Sequence, residues 1–252
     1  MLTAITRAVS PAINRCELGY LPRQEIDFSK ATEQHRRYEA RLRELGIAVV
    51  SLPAEPELPD SMFVEDPAVV VNEIAVIARM GAASRRAESE SLAEALARYR
   101  PLRWLQEPAT LEGGDVLRIG RTLYVGLSQR TNLAGIAQLE EELRPFGYTV
   151  RPVEVRGCLH LKSACCSLGD RTILANREWL DMAPFEGLTI VDVPASEPRA
   201  ANVLAIGNTV LVPESFPETV NVLEQLDWNV RTLDISELMK AEAGLTCSCI
   251  LL

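Results

Sequence analysis

VLRIGRTLYVGL (116–127) is a hairpin legible in the sequence: two β-rich runs meet across Gly120, a residue suited to a tight reversal. The same unit recurs as VVVNEIAVIAR (69–79), CSLGDRTILAN (166–176) and VLAIGNTVLVP (203–213). Taking Asn72, Gly120, Gly169 and Gly207 as the turns, the spacings are 48, 49 and 38 residues. Such a period marks a repeat architecture.

Helical patterns fill the intervals. In FSKATEQHRRYEARLREL (28–45), Ala31, His35, Tyr38, Leu42 and Leu45 share one face. ESESLAEALARY (88–99), LAGIAQLEEELRPF (133–146) and PETVNVLEQLDW (217–228) follow, the last opening with Pro217 in its first turn. A strand comes after each of these helices: GIAVVSLP (46–53), PLRWLQEP (101–108), GYTVRPVEV (147–155) and WNVRTLDI (228–235). The third repeat shows only a weak, short helix near 177–187, in keeping with its shorter spacing. A fifth unit is split between the chain ends, LTAITRAV at the start and LTCSCILL at the finish, both read as strands. Pairing them closes the repeats into a ring with a central channel, where residues of different repeats converge. No linker or low-complexity stretch interrupts residues 1–252, so one domain is expected.

Composition narrows the function. The net charge is −9 and no Lys/Arg run appears, which argues against nucleic-acid partners. An acidic surface can attract a cationic substrate, although solubility alone accounts for it. No stretch reaches the ~18 apolar residues of a membrane span. MLTAITRAVSPAINR has neither a basic head nor a long apolar run, so a cytoplasmic protein with reduced cysteines is expected. With two histidines and no CxxC pair, structural zinc is not expected.

The scarce residue types indicate the chemistry. His35 lies in a charge-rich helix, which leaves His160, in GCLHLKSACC, as the imidazole suited to catalysis. Among the thiols, Cys166 and Cys249 sit in apolar runs and read as small core residues. Cys247 lies nearer the turn at Gly244, and strand alternation would put it on one face with Cys249. LPDSMFVEDPAVV carries Asp60, Glu65 and Asp66, and an acid pair opening an apolar strand is either a solvated strand end or a cage for a cation. A planar guanidinium suits paired carboxylates. Glu112, in LEGGDVL, stands beside two glycines that permit close backbone approach. Arg85 and Arg130 follow hairpin strands of successive repeats, so they could converge on an anion.

FVED (63–66), SRR (84–86), LEGGDVL (111–117), LSQRTN (127–132), HLKS (160–163) and GLTC (244–247) together resemble the dimethylarginine dimethylaminohydrolases, over nearly the whole chain. These are guanidino-group-modifying enzymes with a five-bladed β/α-propeller, the pentein fold, of pseudo-fivefold symmetry and a central active-site channel. The resemblance implies that Cys247 attacks the guanidinium carbon of a methylated arginine and that His160 is the general acid/base. It implies that Glu112 supports the histidine, that Asp60 and Asp66 hold guanidinium nitrogens, and that Glu65 helps to bind substrate. Arg85 and Arg130 would take the α-carboxylate, and Leu18 falls in a stretch resembling the family's mobile lid. Citrulline would be the product; no cofactor or metal is expected, and a homodimer is compatible with the reading. The same fold also carries arginine deiminases, amidinotransferases and non-catalytic binding proteins. The deiminases typically place an acid where Lys162 stands here.

Overall fold

The computed structural model describes residues 2–169 and 171–252, so Asp170 of the CSLGDRTILAN stretch lies outside the described residues. Strand β1 (Thr3–Arg7) leads through helix α1 (Phe28–Glu44) to β2 (Ala48–Leu52), its parallel neighbour. The N-terminus of α1 is capped by Asp27, whose carboxylate accepts from Lys30 N at 3.0 Å. Ala31, His35, Tyr38 and Leu42 form its buried face, as the 3.6-residue period requires.

Three full repeats and a helix-poor one follow. Strands β3 (Ala68–Val70) and β4 (Ala75–Ile77) form a hairpin, α2 (Glu88–Leu96) crosses over, and β5 (Leu102–Trp104) pairs in parallel with β4. Likewise β6 (Val116–Ile119), β7 (Thr122–Leu127), α3 (Leu133–Leu143) and β8 (Thr149–Glu154) make the next unit. The short helix α4 (Leu161–Ala164) precedes β9 (Cys165–Gly169), β10 (Thr172–Ala175) and β11 (Thr189–Asp192). Then come β12 (Leu204–Ile206), β13 (Thr209–Pro213), α5 (Pro217–Gln225), β14 (Asn229–Leu233) and α6 (Ser236–Met239). Finally β15 (Ile250–Leu251) returns to lie antiparallel to β1, pairing Ile5 with Ile250 and Ala4 with Leu251.

The result is a five-bladed β/α-propeller of five three-stranded sheets, with the chain ends closing the ring. The first strand of each hairpin, with β15, runs innermost, and residues of β3, β6, β12 and β15 line a cavity of about 450 Å³. Among the described residues, no helix is long and apolar enough to cross a membrane.

Two sequence expectations are corrected. In the third repeat the connection 176–188 holds not a helix but two 3-10 turns, Arg177–Trp179 and Ala183–Phe185. Pro184 is the middle residue of the second turn, and its Phe185 is buried on Tyr124 with ring centroids 4.7 Å apart. Nor is LTCSCILL one strand: only Ile250–Leu251 pair, while Leu245–Ser248 bend and turn. Asn202 Oδ1 accepts from Leu245 N at 2.8 Å and Thr246 N at 3.0 Å, diverting their backbone from the ladder. The same-face argument for Cys247 and Cys249 therefore does not apply. Cys249 enters the core, whereas Cys247 is half-buried.

The closing sheet carries a direct test. Ile5, fully buried, is paired on both sides, by Val50 and Ile250. Ile5→Ala is expected to lower stability by about 2–5 kcal/mol, as for a large core residue cut to alanine. Urea unfolding followed by circular dichroism measures it; a loss below about 1 kcal/mol, under what deleting one core methylene costs, would contradict the packing described.

Candidate active site

The topology collects the candidate residues at one end of the ring. Residues just before an innermost strand and residues just after its antiparallel partner must lie at the same end of the sheet. Asp60, Glu65 and Asp66 precede β3, Glu112 precedes β6, His160 precedes β9 and Cys247 precedes β15. Arg85 follows β4, Arg130 follows β7 and Leu18 follows β1. The hairpin turns occupy the opposite end.

At the centre, Glu112, with no exposed surface, meets His160 Nε2 at 2.8 Å. Asp66 Oδ1 stands 4.0 Å from the other ring nitrogen. The glycines of LEGGD make this approach feasible. A Cβ on Gly114 would lie 2.6 Å from His160 Nδ1, and one on Gly113 would lie 2.0 Å from Glu65 O. Gly114 N also donates to Asp66 Oδ1 at 3.1 Å. Burial would lower the pKa of His160, but Asp66, the Glu112 hydrogen bond and Asp115 outweigh it and hold the imidazole up at about 9. Burial would conversely raise Glu112, and the hydrogen bond and charge of His160, with Arg85 and Arg130, bring it down to about 2.

The two arginines are not equivalent. Buried Arg85 donates to Asp66 Oδ2 at 2.9 Å and to Glu88 at 2.9–3.3 Å, and lies 3.9 Å from Glu112. Its guanidinium is thus already occupied by carboxylates, because Glu88 sits three residues on, over the same turn. Removing one partner from so buried an ion pair costs about 3–5 kcal/mol, which makes Arg85 a structural anchor as well. Arg130 has only a looser contact, 3.3–3.5 Å from Nη1 to Glu112. It is also held close: Gly81 has no room for a Cβ against the Arg130 backbone, at 2.3 Å.

Cys247 joins the cluster through its turn. Glu65 N donates to Cys247 O at 3.3 Å, and Gly244 N approaches Cys247 Sγ at 3.4 Å. Burial, then the charges of Glu65 and Asp66, push its thiol well above the ordinary value. Burial raises Cys166 and Cys249 as well, to about 12, so acidity does not single out Cys247. Its exposure and neighbours do. Glu65 does not face open space: one oxygen takes Lys162 Nζ and the other accepts from Thr246 Oγ1 at 2.8 Å. Asp60 accepts from Glu17 N at 3.0 Å, beside half-buried Leu18, and burial raises its pKa.

Four residues that sequence reasoning passed over, together with Lys162, complete the arrangement. Asp115 is fully buried and accepts from Ser128 Oγ at 2.6 Å, Thr131 Oγ1 at 2.7 Å and Leu161 N at 2.9 Å, which fixes the backbone beside His160. Its signal was present, an acid following Gly-Gly at the mouth of an apolar strand. Glu88, Asn202 and Thr246 had no signal beyond ordinary polarity, and Lys162 stood out only for occupying the place where deiminases carry an acid. Asp66, Glu112 and His160 also form a trio whose donor atoms lie within 4.8 Å of one another, a metal-ligand set by residue type. Arg85 already pairs with Asp66, and both arginines flank Glu112, so a dication would bind against two guanidinium groups.

Comparison with known proteins follows from this geometry. The family described as "N,N dimethylarginine dimethylhydrolase, eukaryotic" matches residues 12–210. The N(G),N(G)-dimethylarginine dimethylaminohydrolase of Streptomyces coelicolor is 37% identical over 246 residues, covering 97% of this chain and 94% of its own. Its counterpart from Pseudomonas aeruginosa is 34% identical over 223 residues, 88% of each chain. A solved structure of the Pseudomonas aeruginosa protein, a variant complexed with citrulline, superposes with a TM-score of 0.94 at 30% identity, covering 99% and 98% of the two chains.

The Glu112–His160 pair sets a pH dependence. Its folded histidine value, about 9, lies above the ordinary 6.5, so its contribution to stability is complete below pH 6.5 and is lost as pH rises through about 9. The chain has two histidines, so NMR resolves them readily. The His160 ring resonance is expected to titrate near 9 and to move down in Glu112→Gln. A wild-type midpoint at or below 6.5 would contradict the electrostatics described.

Proposed function

The chain belongs to the dimethylarginine dimethylaminohydrolase family, and we propose that it hydrolyses Nω-methylated L-arginine to L-citrulline and methylamine or dimethylamine. One observation carries the reading: carboxylates outnumber cations where His160 and the Cys247 turn meet. Among the described residues, Asp60, Glu65, Asp66, Glu112 and Asp115 stand about Arg85, Arg130, Lys162 and protonated His160, with Glu88 set between Arg85 and Arg7. That surplus favours a cationic ligand, and a guanidinium supplies both the charge and the planar donors.

In this reading Asp66 and Asp60 bind guanidinium nitrogens and hold the group in its cationic, electrophilic form. The incoming cation offsets the carboxylate charge that, with burial, raises the Cys247 thiol, so its proton passes to solvent and the thiolate adds to the guanidinium carbon. His160, protonated at neutral pH and aligned by Glu112, gives its proton to the departing amine as the C–N bond breaks. The neutral imidazole then takes a proton from water, whose oxygen attacks the S-alkylthiouronium carbon. Collapse releases citrulline and restores the thiol. Residues 1–252 would act as one catalytic domain. Arg130, the less committed arginine, would take the α-carboxylate, with Arg85 behind it and Leu18 and Glu65 bordering the substrate.

The test is citrulline release from L-arginine, Nω-monomethyl-L-arginine and Nω,Nω-dimethyl-L-arginine. The methylated substrates are expected to be preferred, with Cys247→Ser inactive but folded and Cys249→Ser retaining most activity. Preference for unmethylated arginine would make the protein a deiminase, and activity in Cys247→Ser would discard the nucleophile.

A second expectation concerns recognition. Losing a charged hydrogen bond costs ~1.5–3 kcal/mol, roughly ten- to a hundredfold in an equilibrium constant. Arg130→Ala should lower kcat/KM for dimethylarginine by about that factor and barely affect a simple alkylamidine without a carboxylate. Equal losses on both substrates would remove Arg130 from the carboxylate site.

A further inference from the structure

The segment between α6 and Cys247 contains a backbone choice that packing does not explain. Ala243 N donates to Leu238 O at 3.3 Å and Glu242 N to Met239 O at 3.1 Å, the paired bonds of a Schellman helix end. In that motif one residue takes a left-handed conformation, a position glycine usually fills. Here it is Glu242, at φ +60°. An L-residue with a long side chain is disfavoured there, so its carboxylate needs a reason to be present.

The reason is in the loop after β1. Three successive backbone N–H groups of the loop after β1 converge on that carboxylate. Gly19 N donates to Oε2 at 3.0 Å, Tyr20 N donates to Oε1 at 2.6 Å, and Leu21 N donates to Oε1 as well. Consecutive N–H groups curled around an anion form a nest, and a carboxylate is a fitting occupant. On the other side of Leu18, the loop is tied by Glu17 N to Asp60 at 3.0 Å and by Ser84 Oγ to Glu17 Oε1 at 2.5 Å. Tyr20, Leu21, Glu242 and Gly244 line one cavity, with Cys158 and Leu159 from the His160 side. The loop thus borders a cavity that reaches Gly244, three residues before Cys247, and Leu18 packs in the same cluster as that cysteine.

We propose that Glu242 is a positioning residue that latches loop 17–21 over the site and joins it to the strap carrying the nucleophile. Two residues beyond the latch, Gly244 N contacts Cys247 Sγ, so one short segment fixes both the cover and the attacking atom. For the reaction, this rests on the methylarginine hydrolase reading above: the latch holds Leu18 and Asp60 at the substrate while the loop is closed.

The left-handed backbone makes the test clean. Glu242→Gly suits the turn better than the native residue and removes only the carboxylate. Its melting temperature should be unchanged or higher. With the latch gone, alkylation of Cys247 by iodoacetamide, located by peptide mass spectrometry, should accelerate about tenfold or more, the factor for losing a charge-assisted bond. KM for dimethylarginine should rise by a similar factor while kcat changes much less, and Glu242→Gln should restore part of both. An unchanged alkylation rate in Glu242→Gly overturns the latch, as does a loss of kcat equal to that of kcat/KM accompanied by a lower melting temperature. If the wild-type protein hydrolyses no methylated arginine, the functional reading fails, and the alkylation rates still decide the latch.

Discussion

A carboxylate with no exposed surface, Glu112, facing the His160 imidazole at 2.8 Å, is the interaction on which the rest of the site depends. Neither group could be buried charged alone, since the cost of desolvation would be several kcal/mol per ion. Each is stabilised by the other, and the structure is shaped to allow it. Two glycines clear the approach, Ala82 N donates to Glu112 Oε1 at 3.2 Å, and Arg130 completes the charge. The outcome is an imidazole that keeps its proton at neutral pH inside the protein, which is the form a leaving amine requires.

The propeller makes this constellation inexpensive to assemble. Each blade is a local unit of hairpin, crossover and parallel strand, so most pairing is between neighbours in sequence. The site uses four of the five places where the chain arrives at the axis, with Asn202 before β12 holding the Cys247 turn, and no long irregular excursion is needed to bring the groups together. Among the described residues only one sheet is non-local, the one that pairs β1 with β15. Tyr38 of α1 reaches from that sheet's crossover helix to Leu245 O at 2.9 Å, tying the closure of the ring to the turn that carries Cys247.

The fold was legible because its signals are periodic. Gly120 and Gly207 turn at positive φ where the hairpins demand it, and Tyr38 and Leu42 bury on the face their spacing gives. His160 was legible through scarcity, and the acids before β3 and β6 through their odd placement at the mouths of apolar strands. Side-chain capture of backbone left no such trace. Asn202 bends 244–248 out of the sheet from more than forty residues away, so the strand pattern of LTCSCILL misleads. The occupation of Arg85 by Glu88 and Asp66 is likewise a packing result, since a guanidinium in SRR looks as free as any other. Glu242 reads as an ordinary surface acid until its left-handed backbone and three N–H donors are seen together.

The central claim is covalent: a thiolate at Cys247, fed by a carboxylate-held cation and relayed by His160. Acid quenching of the protein during turnover of Nω,Nω-dimethyl-L-arginine, followed by peptide mapping with tandem mass spectrometry, tests it most directly. The account predicts a thiouronium adduct whose fragment ions place it on Cys247 and not on Cys249, and which accumulates further in His160→Gly. An adduct located on Cys249, or citrulline formed at the wild-type rate by a Cys247→Ala protein, would contradict it.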